Sequence, residues 1–261
     1  MNSALERLAR GDLVFCLGLR QARSPDIVML AASAGFDAVY VDLEHSPLSL
    51  ETASMLCATA AALGIAGIVR TPSHAADAVS RALDGGAQGL LVPHVNSAEQ
   101  ARAIVNAARF PPIGHRSVMG STPALRYRSM PLAEVIGELN RQTLIIAMIE
   151  TPQAVANAHE IAAVNGIDML LIGSNDLCTE MGIPGQLRHP RLIEAYESVA
   201  AACRAHSKYL GVGGVRGDAE LQAKLLSLGA RFLIAGSDMS YLESAMRKDI
   251  QTLKALPIPK P

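Results

Sequence analysis

The 261-residue sequence is half hydrophobic, which is enough to bury the core of one large α/β domain. A formal net charge of −1, with four Phe and no Trp, argues against a nucleic-acid partner but not against a small anionic ligand. The four cysteines form no CxxC pair, and no apolar run approaches the roughly 20 residues that span a membrane, so we expect free thiols in a cytoplasmic protein without a membrane partner.

The predicted elements alternate along the chain after MNSALERLARGD, an amphipathic stretch that predicts a helix and lacks the features of a signal peptide. Short apolar runs follow, separated by Ala- and Leu-rich segments at helical spacing such as Leu50–Leu63, Ala75–Asp84, Ala98–Arg109 and Leu192–His206. The apolar runs are Val14–Leu19, Ala38–Glu44, Gly67–Thr71, Gly89–Val95, Leu144–Glu150, Asp168–Gly173, Tyr209–Val215 and Arg231–Ser237. Their near-continuous hydrophobicity is typical of parallel strands buried on both faces.

Roughly eight βα units in roughly 250 residues match the size of a closed (β/α)8 barrel, the TIM barrel. An open doubly wound sheet is the competing fold, but it would favour a GxGxxG loop after the first strand, where the sequence reads CLGLRQARS. No linker divides the chain, so we predict one α/β domain over residues 1–261. The longest irregular stretch, Phe110–Pro131, is long enough to suggest a functional loop.

Polar side chains recur where the predicted strands stop, which is the face of such a barrel that carries the active site. They are Arg20, Asp42, Glu44, His45, Arg70, His94, Glu150, Asn175 and Asp176. Glu150 and Asp176 suit a Mg²⁺ or Mn²⁺ ion, or alternatively cap the helices that follow them. Asp42 and Glu44 should point to opposite faces of their strand, so at most one of them is expected to face the barrel mouth.

Three further residues have open assignments from the sequence alone. His45 suits a general base, or alternatively a packing or capping residue. Arg70 needs an anionic partner, either a ligand carboxylate or a neighbouring aspartate. Asp84 lies at a predicted helix C-terminus, where a carboxylate is unfavourable, and is a candidate for pairing with a cation such as a protonated histidine.

A set of motifs in a fixed order resembles the HpcH/HpaI aldolase family, which comprises metal-dependent class II pyruvate aldolases on a (β/α)8 barrel. The resemblance extends from about Val14 to about Met246. The motifs are GFDAVYVDLEHSP, IVRTP, LDGGAQGLLVPHV, RFPPIGHRSV, MIETPQAV, IGSNDL and GARFLIAGSD.

The resemblance implies a role for each matching residue. His45 would be the base and Asp84 the aspartate that pairs with it, while Arg70 would stabilise an enolate. Glu150 and Asp176 would hold Mg²⁺, Mn²⁺ or Co²⁺, and Asp42 would orient water or Arg70. Ser174, Asn175 and Asp176 would form the substrate pocket, with the backbone N–H of residue 175 binding the keto-acid carboxylate. The family also implies a hexamer, a trimer of dimers, in which the last helix, from about Ser240 to Leu256, exchanges between subunits.

The implied activity is cleavage of a 4-hydroxy-2-oxo acid to pyruvate and an aldehyde, or the reverse addition. The family often has Gln where this sequence has Met148, and G-P-[AS]-D-L where it has G-S-N-D-L. If the Asn175 amide faces the donor pocket, we expect hydroxypyruvate to be tolerated as a donor beside pyruvate; alternatively, Asn175 turns away and caps the following turn. The alternatives are an oxaloacetate decarboxylase, another enolpyruvate or CoA-ester lyase on the same barrel, and a non-catalytic barrel.

Overall fold

In the computed structural model, which describes residues 2–257, eight parallel strands close into a barrel in chain order, with the last strand beside the first. The expected α/β class and (β/α)8 barrel are confirmed. The strands are β1 (Val14–Leu19), β2 (Ala38–Asp42), β3 (Ala66–Arg70), β4 (Gly89–Val92), β5 (Leu144–Ile149), β6 (Met169–Gly173), β7 (Tyr209–Gly213) and β8 (Ala230–Ser237).

Helices surround this barrel and connect its strands. They are α1 (Ser3–Ala9), α2 (Asp26–Ser33), α3 (Leu50–Leu63), α4 (Ala76–Asp84), α5 (Ala98–Ala108), α6 (Leu132–Gln142), α7 (Pro152–Ala156), α8 (Ala158–Ala162), α9 (Ser174–Glu180), α10 (Pro190–Ala205), α11 (Ala219–Ser227) and α12 (Asp238–Lys254). Because each connecting helix runs antiparallel to the strands, its C-terminus lies at the face where the next strand begins.

The hydrophobic core has two layers because successive side chains of a strand point to opposite faces. Inward-facing side chains such as Cys16, Tyr40, Ile68 and Phe232 fill the barrel interior. Outward-facing side chains such as Val41 pack against the helices. A packed interior leaves the carboxyl ends of the strands as the place where a ligand can enter.

Helix α1 closes the opposite end of the barrel. Its Ala4 and Leu8 pack with the interior residues. The amide of Asn2 donates 2.8 Å hydrogen bonds to the carbonyl oxygens of Gln88, directly before β4, and Gln142, the last residue of α6, two residues before β5. The predicted N-terminal helix is therefore present and blocks the amino ends of the strands.

Several predicted strands end earlier than their apolar runs. The run Ala38–Glu44 stops as a strand at Asp42, because Asp42 Oδ1 accepts the N–H groups of Glu44 and His45, each at 3.1 Å, and turns the chain. The predicted loop Phe110–Pro131 is irregular apart from one 3₁₀ turn at Pro123–Leu125. Across residues 2–257, no helix combines the length and apolar character needed to cross a membrane.

Candidate active site at the mouth of the barrel

Asp42 organises two arginines at the mouth of the barrel. It ends β2 directly beside Arg70, the last residue of β3, and its side chain is fully buried. Arg70 donates two hydrogen bonds to it, from Nε to Oδ1 at 2.9 Å and from Nη2 to Oδ2 at 2.6 Å, and Arg20 Nε donates to Oδ2 at 3.1 Å. Burial raises the pKa of Asp42, but the hydrogen bonds and charge of Arg70, the His45 N–H and the charge of Arg20 together outweigh burial and hold the pKa below its usual value. The carboxylate therefore stays ionised and fixes Arg70.

Glu44 lies between one arginine and two histidines. Its Oε2 is 3.0 Å from Arg70 Nη1 and 3.6 Å from His45 Nε2, and its Oε1 is 3.4 Å from His94 Nε2. None of these approaches gives Oε2 a hydrogen bond from residues 2–257. The expectation that only one of Asp42 and Glu44 faces the mouth is wrong, because the chain turns after Asp42 and both carboxylates contact Arg70.

Glu150 is a buried carboxylate directly after β5. Its Oε2 accepts the backbone N–H of His94 at 2.9 Å and lies 3.5 Å from His94 Nδ1. Burial raises the pKa of Glu150 to about 7, and the carboxylates of Asp176 and Glu44 act in the same direction, while His94 opposes the rise. Glu150 is therefore a carboxylate that a neighbouring cation would stabilise in its ionised form.

Gly173, the last residue of β6, leaves the space that Glu150 occupies. A Cβ placed on Gly173 would lie 2.6 Å from Glu150 Oε1 and 2.8 Å from its Cγ. The backbone at Gly173 has φ −86°, so the close approach and not the conformation requires glycine here. The chain then enters α9, whose first turn carries Asp176. The β6–α9 junction thus carries Asp176 and leaves room for Glu150, so both predicted metal carboxylates lie at one edge of the mouth.

The donor chemistry at this edge fits a divalent cation. The repulsion between two carboxylates near each other at the mouth is relieved by a bound dication. Among residues 2–257, no group of three or more His, Cys, Asp or Glu side chains has the arrangement of a metal site. Glu150 and Asp176 would therefore be a two-carboxylate set that leaves the other coordination positions to water and substrate, which suits Mg²⁺.

Ser174 and Asn175 occupy different environments. The buried Ser174 hydroxyl donates to the Gly213 carbonyl oxygen at 2.7 Å and accepts from the Tyr196 hydroxyl at 2.9 Å. These internal bonds hold the Ser174 hydroxyl inside the protein. The Asn175 amide is exposed and lies beside Gly214, with Nδ2 3.2 Å from the place that a Cβ on that glycine would take.

The structure does not bring Asp84 and His45 together within the chain. Asp84 ends α4 and so lies at the face where the strands begin, where Arg116 Nη2 donates to it at 2.7 Å. His45 follows β2 at the opposite face, and its carboxylate neighbour among residues 2–257 is Glu44. The predicted pair is absent from one subunit because a barrel helix ends at the face opposite the one where the preceding strand ends.

A cavity of about 90 Å³ opens at the mouth of the barrel beside Arg70 and Asp176. Its walls are Arg20, Tyr40, Arg70, Met148, Leu171, Gly173, Ser174, Asn175, Asp176, Gly213, Gly214 and Ile234. The sequence indicated the strand-end positions of Arg20, Glu44 and His94, but it gave them no roles. The inward alternation of β2 was the signal that could have placed Tyr40 there.

The fold and the site together indicate an enzyme. A (β/α)8 barrel with charged side chains gathered at the carboxyl ends of its strands is an enzyme scaffold. The sequence model of the HpcH/HpaI aldolase/citrate lyase family matches residues 19–245. A 4-hydroxy-4-methyl-2-oxoglutarate aldolase of Chaetomium globosum is 39% identical over 94% of this chain and 92% of its own. A 4-hydroxy-2-oxovalerate aldolase of Novosphingobium aromaticivorans is 39% identical over 91% and 89%.

Among solved structures, an HpcH/HpaI aldolase from Desulfitobacterium hafniense superimposes with a TM-score of 0.93 at 34% identity, over 98% of both chains. The chain belongs to the HpcH/HpaI aldolase/citrate lyase family, a metal-dependent family. It is an enzyme of the lyase class, an aldolase, and the family resemblance of its motifs is confirmed.

Proposed function

We propose that this enzyme cleaves 4-hydroxy-2-oxo acids between C3 and C4, giving pyruvate and a carbonyl compound, and catalyses the reverse addition. The observation that carries the proposal is Arg70, which Asp42 and Glu44 fix at the wall of a cavity that Asp176 also lines. The aldolases of C. globosum and N. aromaticivorans support it, because both are named for 4-hydroxy-2-oxo acids. Their named substrates differ in the group carried at C4, and therefore in the carbonyl compound released.

Glu150 and Asp176 are the residues that would hold the metal ion. The ion, when bound, supplies Lewis-acid stabilisation of the oxygens of the 2-oxo acid. Carboxylate ligands favour Mg²⁺ or Mn²⁺, with Co²⁺ as a replacement. The backbone N–H groups at the start of α9, including that of Asn175, would bind the keto-acid carboxylate.

Arg70 and His45 would divide the bond cleavage between them. His45, with half of its side chain exposed at the mouth, would take the proton of the C4 hydroxyl. The C4–O electrons then form the carbonyl, the C3–C4 bond breaks, and its electron pair moves toward the C2 oxygen. Arg70 would stabilise the negative charge that grows on that oxygen, and its fixed position avoids a reorganisation cost. Protonation at C3 completes the release of pyruvate.

A second subunit would complete the site. Because Asp84 and His45 lie at opposite faces of one barrel, Asp84 would support His45 only if a neighbouring subunit presents its own Asp84. The expected hexamer with an exchanged α12 provides such a neighbour.

We also propose a cytoplasmic location, supported by four cysteines that are buried and free. Hydroxypyruvate as a second donor stays a prediction, and it depends on the Asn175 amide turning from Gly214 toward the cavity.

The proposal is tested by pyruvate release from 4-hydroxy-2-oxovalerate, measured with and without chelator. We expect chelation to abolish turnover and Mg²⁺, Mn²⁺ or Co²⁺ to restore it, because Glu150 and Asp176 leave the ion exchangeable. Glu150→Gln should remove activity, whereas Glu160→Gln, the same change at an exposed position on α8, should not. Activity that survives exhaustive chelation would contradict the metal mechanism.

A further inference from the structure

Arg20 is a second cation in the active-site cavity, and the cleavage chemistry proposed above gives it no role. It follows β1 directly and lines the cavity with Arg70 and Tyr40. Its Nε donates to Asp42, and its side chain is 42% exposed. Within residues 2–257, its Nη1 and Nη2 groups make no hydrogen bond or ion pair. The outer edge of this guanidinium is therefore available to a ligand.

The loop that carries Arg20 is held in place by Asp238, the first residue of α12. The Asp238 carboxylate accepts the N–H groups of Arg20, Gln21 and Ala22 at 2.8–3.1 Å, together with the N–H of Met239 at 2.8 Å. The Arg20 guanidinium is fixed a second time by its bond to Asp42. A side chain held at both its backbone and its Nε loses little further freedom when it binds a ligand.

Asp42 does not need Arg20 for charge neutrality. The two hydrogen bonds from Arg70 already pair that carboxylate. With Nε occupied by Asp42, the free Nη1 and Nη2 form the end-on pair of donors that matches the two oxygens of a carboxylate. The chemistry of Arg20 thus favours an anion with carboxylate geometry.

The position of Arg20 distinguishes this anion from the 2-oxo acid carboxylate. In the closed barrel, β1 lies across from β5, the strand that positions Glu150. A carboxylate bound beside Glu150 and the start of α9 lies at the other edge of the mouth. Arg20 and the start of α9 line the same cavity from these two sides, so the position of Arg20 suits a group on the fragment beyond the cleaved bond.

Resting on the proposed aldol cleavage, we propose that Arg20 binds a second carboxylate, carried by C4 of the substrate. The preferred substrates are then 4-hydroxy-2-oxo dicarboxylates, whose cleavage gives pyruvate and a second 2-oxo acid. Arg20 Nε and Arg70 Nη2 both donate to Asp42 Oδ2, so the two guanidiniums lie close together, which favours a carboxylate attached directly to C4. Arg20 acts in this inference as a specificity residue, whereas Arg70 serves the reacting oxygen.

The test compares kcat/KM for 4-hydroxy-4-methyl-2-oxoglutarate with kcat/KM for 4-hydroxy-2-oxovalerate, which has no second carboxylate. We expect the wild type to prefer the dicarboxylate, and Arg20→Met to reduce that preference roughly ten- to a hundredfold, the value of a hydrogen-bonded charge. Arg20→Lys keeps the positive charge but lacks the paired N–H donors of the guanidinium. Its preference for the dicarboxylate should lie between those of the wild type and Arg20→Met. Arg23→Met is the matched control, since Arg23 is exposed on the same loop and outside the cavity.

The outcomes separate this inference from the proposed function. Equal losses for both substrates in Arg20→Met would mean that Arg20 acts only through Asp42, and would overturn the inference. A wild type without preference, or a control variant that behaves like Arg20→Met, would overturn it as well. If Arg20→Met fails to fold, Arg20→Lys and Arg20→Gln replace it. An unchanged preference for the dicarboxylate in both variants would also overturn the inference. A wild type that releases pyruvate from neither substrate overturns the proposed function itself.

Discussion

Asp42 makes the active site depend on one buried charge. Replacing a partner of a buried, hydrogen-bonded ion pair leaves the other partner uncompensated, which is costly. Here one carboxylate serves Arg70 and Arg20 and also turns the chain toward Glu44 and His45. Its removal should therefore affect folding and the geometry of catalysis at the same time.

We expect Asp42→Asn to lower the free energy of unfolding at neutral pH by roughly 3–5 kcal/mol, the cost of an unpaired buried charge. The folded-state pKa of Asp42 lies below its usual value, so its stabilisation is present above pH about 4 and is lost as the pH falls through the folded pKa. Denaturant unfolding at several pH values should show the difference between the two proteins shrinking only in acid.

The matched control for this stability measurement is Asp12→Asn, which removes an exposed partner of Arg10. That change should alter stability by less than about 1 kcal/mol. A stability difference for Asp42→Asn that grows as the pH falls would contradict the lowered pKa.

The separate roles of Arg70 and His45 can be tested with two reactions that share an enolate. Arg70→Met should lower kcat/KM by roughly 10²–10³-fold for both aldol cleavage and oxaloacetate decarboxylation, because both develop charge on the same oxygen. His45→Gln should damage cleavage more than decarboxylation, which has no C4 hydroxyl to deprotonate. Parallel losses in both reactions for both variants would contradict the assignment.

The sequence predicted which residues stand at strand ends better than it predicted their partners. Position at a strand end follows from local periodicity, and it correctly placed Arg70, Glu150 and Asp176 at the mouth. Which side chain forms an ion pair with which depends instead on how the helices, strands and loops are arranged in three dimensions. Asp84 illustrates this limit, since its ion-pair partner within the chain is Arg116 in the long loop and not a histidine.

At the scale of elements, the junction of β6 and α9 shows how a strand end accommodates a buried carboxylate. Strand β6 pairs with β5, so Gly173 runs past the Glu150 side chain with no Cβ between them. The residue type at position 173 thus determines whether Glu150 can reach its place beside Asp176. In the sequence, Gly173 stands out only as part of the IGSNDL motif, because a close approach between strands has no local signature.

Gly173→Ala is expected to displace Glu150 without straining the backbone, since φ −86° is accessible to alanine. The added Cβ would lie 2.6 Å from Glu150 Oε1, so either that side chain or the junction must move. We expect weaker Mn²⁺ binding by calorimetry and a parallel loss of kcat/KM. Gly120→Ala is the control, because its Cβ would meet no atom within 4 Å. Unchanged Mn²⁺ affinity in Gly173→Ala would argue against Glu150 as a ligand.

Helix and strand bounds were largely predictable because they depend on short-range pattern. The predicted Leu50–Leu63 is α3 with the same bounds, capped by Ser49 and ended by Gly64 in the left-handed conformation. The last helix was expected from about Ser240 and begins at Asp238, because Ser237 and Ser240 cap its start reciprocally. Such one- to two-residue differences change no site residue.

The whole molecule has an apolar surface that a single chain leaves uncovered. Helix α12 has no buried residue, and one of its faces is apolar. The exposed residues of that face are Met239, Leu242, Met246, Ile250 and Leu253. An apolar stripe of this kind, beside a groove of about 630 Å³ that also contains Arg20, is typical of a subunit interface. The sequence indicates the apolar stripe but not what covers it. The pattern of a single helix is the same whether the stripe packs on its own barrel or on a neighbouring subunit.

We expect the wild-type enzyme to sediment as a hexamer at micromolar concentration and Met246→Glu to dissociate it, because a charge would enter an apolar interface. Gln251→Glu introduces the same residue on the opposite face of α12 and should leave the assembly intact. Met246 is not part of the barrel core, so its variant should remain folded by circular dichroism. If Asp84 supports His45 only across subunits, the dissociated variant should lose aldol cleavage more than oxaloacetate decarboxylation. A wild type that sediments as a monomer would contradict both the exchanged helix and the shared site.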